Sequence, residues 1–387
     1  MKIGFVLDDG LDRPDGVQQY ITTLGGWLSA QGHEVRYLVG ETHNNQDKKV
    51  YVLSRNIRVN FNGNRMSVPL PVPARRIKKI LRDEQFDVLH VQLPYSPFMA
   101  AKVIKLCSKK TALIGTFHIL PYNFWSALGT RLLGLFLKRN LRRFDSIISV
   151  SKPAADFARK AFGVDSTVVP NMVTIKDFQP RETQPRKKHS EVSPVKTERD
   201  GLRVLFVGRL VKRKGIEELV NAIEFLKVHD ELPSEVCVDI CGEGPLRSRL
   251  EARVKESGLP DIIRFHGFIG EEEKIHLLQQ ADIAAFPSLS GESFGIVLIE
   301  AMAAGSGVVL GGNNPGYRSV LEAVPESIVE PRNIPVFSRE LLTFMKDKPK
   351  RLELHARQQK HIRQYDTPKV GKRLLTLYIT CKSDRSS

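Results

Sequence analysis

The sequence predicts an α/β protein made of two doubly wound, Rossmann-like domains that face each other across an interdomain cleft. Three observations predict this. Apolar runs of strand length alternate with segments of helical period. The alternation lapses once, over residues 179–200, where QPRETQPRKKHSEVSPVKTERD gathers charge and proline. The 387 residues also exceed the size at which one core usually stops growing. Residues 1–178 therefore read as the first domain, 179–200 as a linker and 201–364 as the second domain.

Each element follows from its own pattern. KIGFVL (2–7) reads as a buried strand. A loop with Pro14 and Gly16 leads into a helix that carries Val17, Tyr20, Ile21, Leu24, Trp27 and Leu28 at helical spacing. EVRYLVG completes a βαβ unit, and FDVLHVQ, TALIGTFH, SIISVS and STVVP supply later strands. After the linker the pattern restarts with strand LRVLFVG (202–208), helix IEELVNAIEFLKV, strand EVCVDICG, helix PLRSRLEARVKESG, strand IIRFHGFI, helix EEEKIHLLQQ and strand IAAFPS. A loop, a helix and strand GVVLGG follow. Strands alternating with helices imply parallel sheets covered on both faces. In YDTPKVGKRLLTLYI, Val370, Leu374, Leu377 and Tyr378 fall on one side of a helix, so residues 365–387 are expected to pack back onto the first domain.

Composition narrows the class. With 41% hydrophobic and 26% charged residues, both domains can bury ordinary cores. The apolar run RLLGLFL (131–137) is far short of the roughly 20 residues a membrane span needs, and MKIGFVLDDG shows no secretory leader. Cys107, Cys237, Cys241 and Cys381 make no paired CxxC, so reduced thiols in a cytoplasmic protein are expected and no metal site. Of the net charge of +16, residues 1–178 carry +12, from 26 Lys and Arg against 14 Asp and Glu. Such an excess calls for an anionic partner, a membrane surface or nucleic acid; no recognised nucleic-acid motif accompanies it.

The chemistry gathers in the second half. VGRLVKRKG puts Arg209 at the end of a strand and Lys214 just before a helix, with Gly215 at the boundary. Two cations beside a helix start suit a diphosphate, because the first N–H groups are unpaired and carry partial positive charge. GESFGIVLIEAMAAG (291–305) adds a second helix start at Phe294, Gly295 and Ile296. Glu292 precedes that start and Glu300 lies two turns on. Carboxylates accept strongly from sugar hydroxyls, so a phosphate site flanked by two such acceptors describes a nucleotide sugar. His118 closes the strand in GTFHIL, and its place at a strand's carboxyl end before the irregular PYNFW stretch favours the cleft. PARRIKKILRDE reads as an amphipathic helix, with Arg75, Arg76, Lys78, Lys79 and Arg82 opposite Ile77, Ile80 and Leu81, able to lie on anionic lipid. RLLGLFLKRNLRR (131–143) is a second such segment.

Together GESFGIVLIEAMAAG, VGRLVKRKG, GEGPLRSRL and PDGVQQYI resemble family 4 of the retaining glycosyltransferases, which have the GT-B fold, and within it the phosphatidylinositol mannosyltransferases of actinobacteria. The likeness spans nearly the whole chain outside the linker. It implies that Arg209 and Lys214 hold the donor diphosphate, that Glu292 and Glu300 contact sugar and ribose, and that the backbone at Phe268 and Ile269 meets the base. By the same resemblance Gly16 lets the backbone approach the donor phosphate, His118 lies beside the transferred sugar, and Gln18 and Arg65 touch the acceptor. Gln18 reads equally as a solvated residue of the first helical turn, and Arg65 as an exposed loop arginine. Asp15 and Met172 depart from the family pattern, where glycine is usual.

The implied activity is retaining, metal-independent transfer of a hexose, mannose from GDP-mannose, to phosphatidylinositol by a protein peripheral on the inner face of the cell membrane. No cofactor is expected beyond the nucleotide sugar. A UDP-sugar donor with a diacylglycerol, polyprenyl or lipopolysaccharide acceptor is the alternative. A non-catalytic membrane- or nucleic-acid-binding protein on the same scaffold is the rival of another kind. A nicotinamide dehydrogenase is disfavoured because LDDGLDRPDGV contains no GxGxxG.

Overall fold

A computed structural model describes residues 1–12, 15–43, 49–61, 64–118, 139–179 and 201–386. The chain divides into two compact units. One comprises Met1–Val173, Gly291–Ile296 and Gln364–Ser387; the other comprises Thr174–Ser290 and Val297–Arg363. The first boundary thus falls at Val173, before the short helix 175–178, and residues 180–200 of the expected linker lie outside the described residues.

The first unit is built on a seven-stranded parallel sheet in the order β3-β2-β1-β6-β7-β8-β9. Its strands are β1 (Lys2–Leu7), β2 (Glu34–Val39), β3 (Val50–Val52), β6 (Val88–Gln92), β7 (Ala112–Phe117), β8 (Ser146–Ser149) and β9 (Thr167–Val168). All of β6 and β7 is buried, as a sheet covered on both faces requires. The helices are α1 (Gly16–Ala30), α2 (Ala74–Glu84), α3 (Met99–Leu106) and α4 (Lys152–Phe162). Sequence reading missed β3 and the antiparallel hairpin of β4 (Asn56–Phe61) and β5 (Asn64–Pro69). Asn62-Gly63 between two alternating runs is the signal that marks such a hairpin.

The last helix, α13 (Thr367–Ser386), packs on this sheet. Val370, Leu374, Tyr378 and Cys381 join Ile3, Phe5, Ile21 and Leu24 in one core. Lys382 pairs with Asp87 at 2.8 Å and Arg385 with Asp145 at 2.7 Å. Buried apolar side chains contribute about 1.5–3 kcal/mol each and partly exposed ion pairs under about 1 kcal/mol, so burial holds the helix and the ion pairs set its register.

The second unit repeats the plan with six parallel strands in the order β12-β11-β10-β13-β14-β15. They are β10 (Leu202–Val207), β11 (Val236–Cys241), β12 (Ile263–Gly267), β13 (Ile283–Phe286), β14 (Val308–Gly312) and β15 (Ile328–Val329). In chain order the helices are α5 (Ile175–Phe178), α6 (Ile216–Val228), α7 (Arg247–Glu256), α8 (Glu271–Gln280), α9 (Ile296–Ala304), α10 (Pro315–Leu321), α11 (Ile334–Lys346) and α12 (Lys348–Ile362). Every residue of α9 from Leu298 to Ala304 is buried, which explains why its sequence shows no polar face. The strand order reverses direction between β10 and β13 here, and between β1 and β6 in the first unit. Loops at the carboxyl ends of strands beside such switch points are where doubly wound sheets bind ligands.

All four cysteines are free thiols. Burial pushes the thiols of Cys107 and Cys381 up to about 11, so both are unreactive at neutral pH.

Two histidines are buried in the first unit. His90 lies between the hydroxyls of Tyr378, 2.6 Å from Nδ1, and Thr116, 2.5 Å from Nε2. Burial pushes the pKa of His90 and of His118 down to about 3 from 6.5. Between those values the unfolded chain binds a proton at each site and the native chain does not, so native stability falls as pH falls from 6.5 towards 3. Replacing His90 by Gln removes one such group. The stability of His90→Gln, read from urea midpoints, should therefore fall less steeply between pH 6.5 and pH 4.5, by up to about 1.4 kcal/mol per pH unit relative to the unaltered protein.

Candidate active site

The second unit's switch point is closed by backbone packing. The turn after β10 carries Arg209, exposed, and runs into a tight turn at Lys212–Lys214 that ends at Gly215. Gly215 has φ +72°, and a Cβ there would lie 1.8 Å from the carbonyl oxygen of Pro287 in the loop after β13. Only glycine permits that approach. It lets the Arg213 carbonyl accept from both Leu289 N, at 2.8 Å, and Ser288 Oγ, at 3.0 Å. On the other side Gly208 N donates to Cys241 O and Leu210 N to Glu243 O, each at 2.9 Å. The cations thus stand on a turn laced to both neighbouring loops, at the carboxyl end of the sheet.

Past Pro287 the chain enters α9. Glu292 lies in its approach, and Phe294 is buried with its ring edge-on to Tyr365. The helix starts at Ile296, and the first N–H groups of any helix lack intrahelical acceptors. Glu300, one turn inside, is buried, and its Oε1 meets Lys274 Nζ of α8 at 2.9 Å. Lys274 also pairs with Glu271 at 2.9 Å. Burial works against the ammonium, yet these two carboxylates hold its pKa above the ordinary value. Sequence reading missed Lys274, since nothing local links positions 26 residues apart. Phe268 follows β12 with 74% of its surface exposed, and Ile269 beside it is half-buried.

The first unit gathers polar groups at its own switch point. Asp8, directly after β1, accepts from Ala100 N at the start of α3, at 2.8 Å, and from Ser96 Oγ. Burial raises its pKa, while these two donors oppose the shift. Sequence reading did not single out Asp8; a carboxylate directly after a switch-point strand was the available signal. Gln18 is buried and its Nε2 donates to Gly10 O at 3.1 Å, which corrects the reading of a solvated first-turn residue. Asp15 is exposed at the N-cap of α1 and makes no side-chain cap bond. Met172 is part of the core.

His118, at the end of β7, is buried with its ring edge-on to Tyr20, centroids 5.0 Å apart. Its Nε2 donates to Gln92 Oε1 at 2.7 Å, which leaves Nδ1 as an acceptor. Its carbonyl accepts from Ser293 Oγ, and the Ser293 carbonyl accepts from Ser151 Oγ. Residues 291–296 count with this unit; a Cβ on Gly16 would lie 2.9 Å from Ile296 Cδ1.

Helix α2 corrects one expectation. Ile77 is fully buried, and Ile80 and Leu81, half-buried, pack against the same core, so protein takes much of the apolar side expected to face lipid. Arg76 donates to Val52 O at 2.7 Å and Leu53 O at 3.4 Å, clasping α2 to β3. Arg75, Lys78, Lys79 and Arg82 are exposed, with Lys79 and Arg82 both on Asp83. Arg65 stands in β5 opposite Asn60. Of the second basic segment, residues 131–138 lie outside the described residues. Among the described residues no helix is long and apolar enough to cross a membrane.

Two parallel-sheet units, each with polar groups at its switch point, define the GT-B class. The fold is shared across nearly the full chain with an Anabaena protein, HepE, solved in complex with UDP, at TM-score 0.75 and 17% identity over 98% of this chain and 100% of that one. It is shared also with sucrose-phosphate synthase from Thermosynechococcus elongatus, at TM-score 0.73 and 18% identity over 99% of each. Residues 14–177 match the model described as Glycosyltransferase Family 4, and residues 188–361 that of Glycosyl transferases group 1. The chain belongs to the family 4 glycosyltransferases. A phosphatidyl-myo-inositol mannosyltransferase of Propionibacterium freudenreichii subsp. shermanii is 31% identical over 80% of this chain and 76% of its own. That of Mycolicibacterium smegmatis is 28% identical over 98% and 94%.

A side chain at Gly215 must take up a left-handed backbone and displace Pro287. Gly215→Ala is expected to cost about 2–3 kcal/mol and to lower activity together with the thermal midpoint, measured by calorimetry and turnover on the same preparation.

Proposed function

We propose that the protein transfers mannose, with retention, from GDP-mannose to the inositol of phosphatidylinositol at an anionic membrane surface. The observation that supports this most directly is the 31% identity over 80% of the chain to a phosphatidyl-myo-inositol mannosyltransferase. Arg209 and Lys214, on the laced turn after β10, would offset the negative charge that grows on the departing diphosphate, and the α9 helix start would add N–H groups. Glu292 would hold sugar hydroxyls and Glu300, kept in place by Lys274, the ribose. The C1–phosphate bond breaks, the C1–inositol oxygen bond forms on the same face, and the hydroxyl proton passes to the departing phosphate oxygen. His118 is neutral near pH 7, since burial holds its pKa at about 3, so it has no imidazolium proton to give as an acid; its role is to orient. In this reading the protein's own cations neutralise the leaving group, so no metal is required.

The membrane contact we propose is electrostatic. The exposed cations of α2 near an anionic surface contribute about 1 kcal/mol each, and salt screens them. Lys78→Glu/Lys79→Glu/Arg82→Glu should weaken binding to phosphatidylinositol-containing vesicles by at least about 100-fold in co-sedimentation at low salt, and much less at high salt.

The direct test incubates the protein with vesicles of phosphatidylcholine, with and without phosphatidylinositol, and either GDP-mannose or UDP-glucose. Mannosylation that needs phosphatidylinositol, gives the α-anomer by NMR and persists in EDTA is expected. Transfer from the UDP-sugar alone, or onto vesicles lacking phosphatidylinositol, would overturn the donor or acceptor assignment respectively. Lys214→Ala and Glu292→Ala should lower kcat about 100-fold while shifting Tm by less than about 2 °C; equal loss of both would remove these residues from the site.

A further inference from the structure

The polar face of the second sheet beside β12 carries a buried ionic cluster that the donor site does not use. Asp239, in the middle of β11, is only 1% exposed. Its Oδ1 accepts from His266 Nε2 at 2.7 Å, and its Oδ2 lies 3.5 Å from Arg203 Nε and 3.6 Å from Cys237 Sγ. Arg203 is itself tied to α8, donating to Gln280 Oε1 at 2.5 Å, and Gln280 Nε2 meets His276 Nε2 at 2.9 Å. Burial alone would raise the Asp239 pKa, but His266 and Arg203 outweigh it and the carboxyl stays below its usual range.

His266 occupies a particular place in the strand. Ile240 pairs with Phe265 and Cys241 with Gly267, so His266 is the extra residue of a bulge. Gly267 then turns with φ +71°, and its carbonyl accepts from Gly242 N at 2.6 Å. A bulge bends its strand and re-aims the residues that follow. Those residues are Phe268 and Ile269. A buried polar or ionic group contributes little stability that apolar packing would not supply; its best-attested use is to fix register.

We propose that Asp239 and His266 are a positioning pair: by clamping the β12 bulge they hold the backbone of Phe268 and Ile269 in the register that reads the nucleotide base. This rests on the donor site set out above. Because the pair acts on the base end alone, its loss should leave diphosphate binding intact.

The test compares the affinities of GDP and inorganic pyrophosphate by calorimetry for the full chain and for His266→Leu, which removes the donor to Asp239, and His266→Gln, which keeps an N–H donor. His266→Leu should bind GDP at least about tenfold more weakly and pyrophosphate within about twofold, and His266→Gln should recover most of the GDP affinity. If His266→Leu fails to fold, Asp239→Asn, which leaves one acceptor oxygen for His266 and Arg203 in place of two, should show the same selective loss. Equal loss for both ligands, or unchanged GDP affinity in a folded variant, would overturn the proposal. If the unaltered protein binds UDP instead of GDP, the same ratio taken with UDP decides the pair's role and only the donor assignment falls. Binding of neither nucleotide would overturn both.

Discussion

The second unit depends on one close approach, the backbone of Gly215 against the carbonyl of Pro287. It joins the loops of β10 and β13 across the point where the strand order reverses. Once they touch, the Arg213 carbonyl serves both Ser288 and Leu289, and the segment bearing Arg209 and Lys214 is fixed at both ends. A flexible basic loop would have to be ordered by its ligand at an entropic cost; a laced one presents its charges already in place. The same lacing continues through Leu210 and Glu243 to the loop after β11. A steric allowance at one glycine therefore underlies the preorganisation of three loops.

Both units must offset the cost of buried polar groups. In the first, His90 and His118 are buried as neutral rings satisfied by Tyr378, Thr116 and Gln92. In the second, buried carboxylates are matched by cations, Glu300 by Lys274 and Asp239 by Arg203, and Asp239 also accepts a hydrogen bond from His266. Charges taken out of water must be paired or lost. The cationic turn stands at the strand ends of the second unit, whose proposed ligand is a diphosphate. The neutral rings of the first unit have no imidazolium proton to lend as an acid near neutral pH.

The architecture was largely legible because continuous apolar strands alternate with amphipathic helices. KIGFVL and LRVLFVG announce β1 and β10, and the continuous burial of a parallel sheet leaves few other readings. The hairpin β4–β5 was not read, since its runs mix Asn and Arg with Ile and Val. At the site, the glycines and cations around 209–215 and 291–300 stood out because their spacing is local. Lys274 beside Glu300, and His266 on Asp239, were not legible. Each pair joins separate elements, and the bulge that gives His266 its role is a property of strand pairing, which no single segment encodes.

Helix α2 shows how one pattern serves two physical ends. A stripe of Ile77, Ile80 and Leu81 opposite five cations satisfies the rule for a helix lying in a lipid interface and equally the rule for a helix covering a core. The protein core takes the stripe, and Arg76 is used to hold the helix down. What remains outward is mostly charge, with Ile80 and Leu81 half-buried. Membrane affinity built only on such charge is reversible and depends on the anionic lipid fraction. For an enzyme whose proposed acceptor is itself an anionic lipid, that makes attachment and substrate supply respond to the same variable.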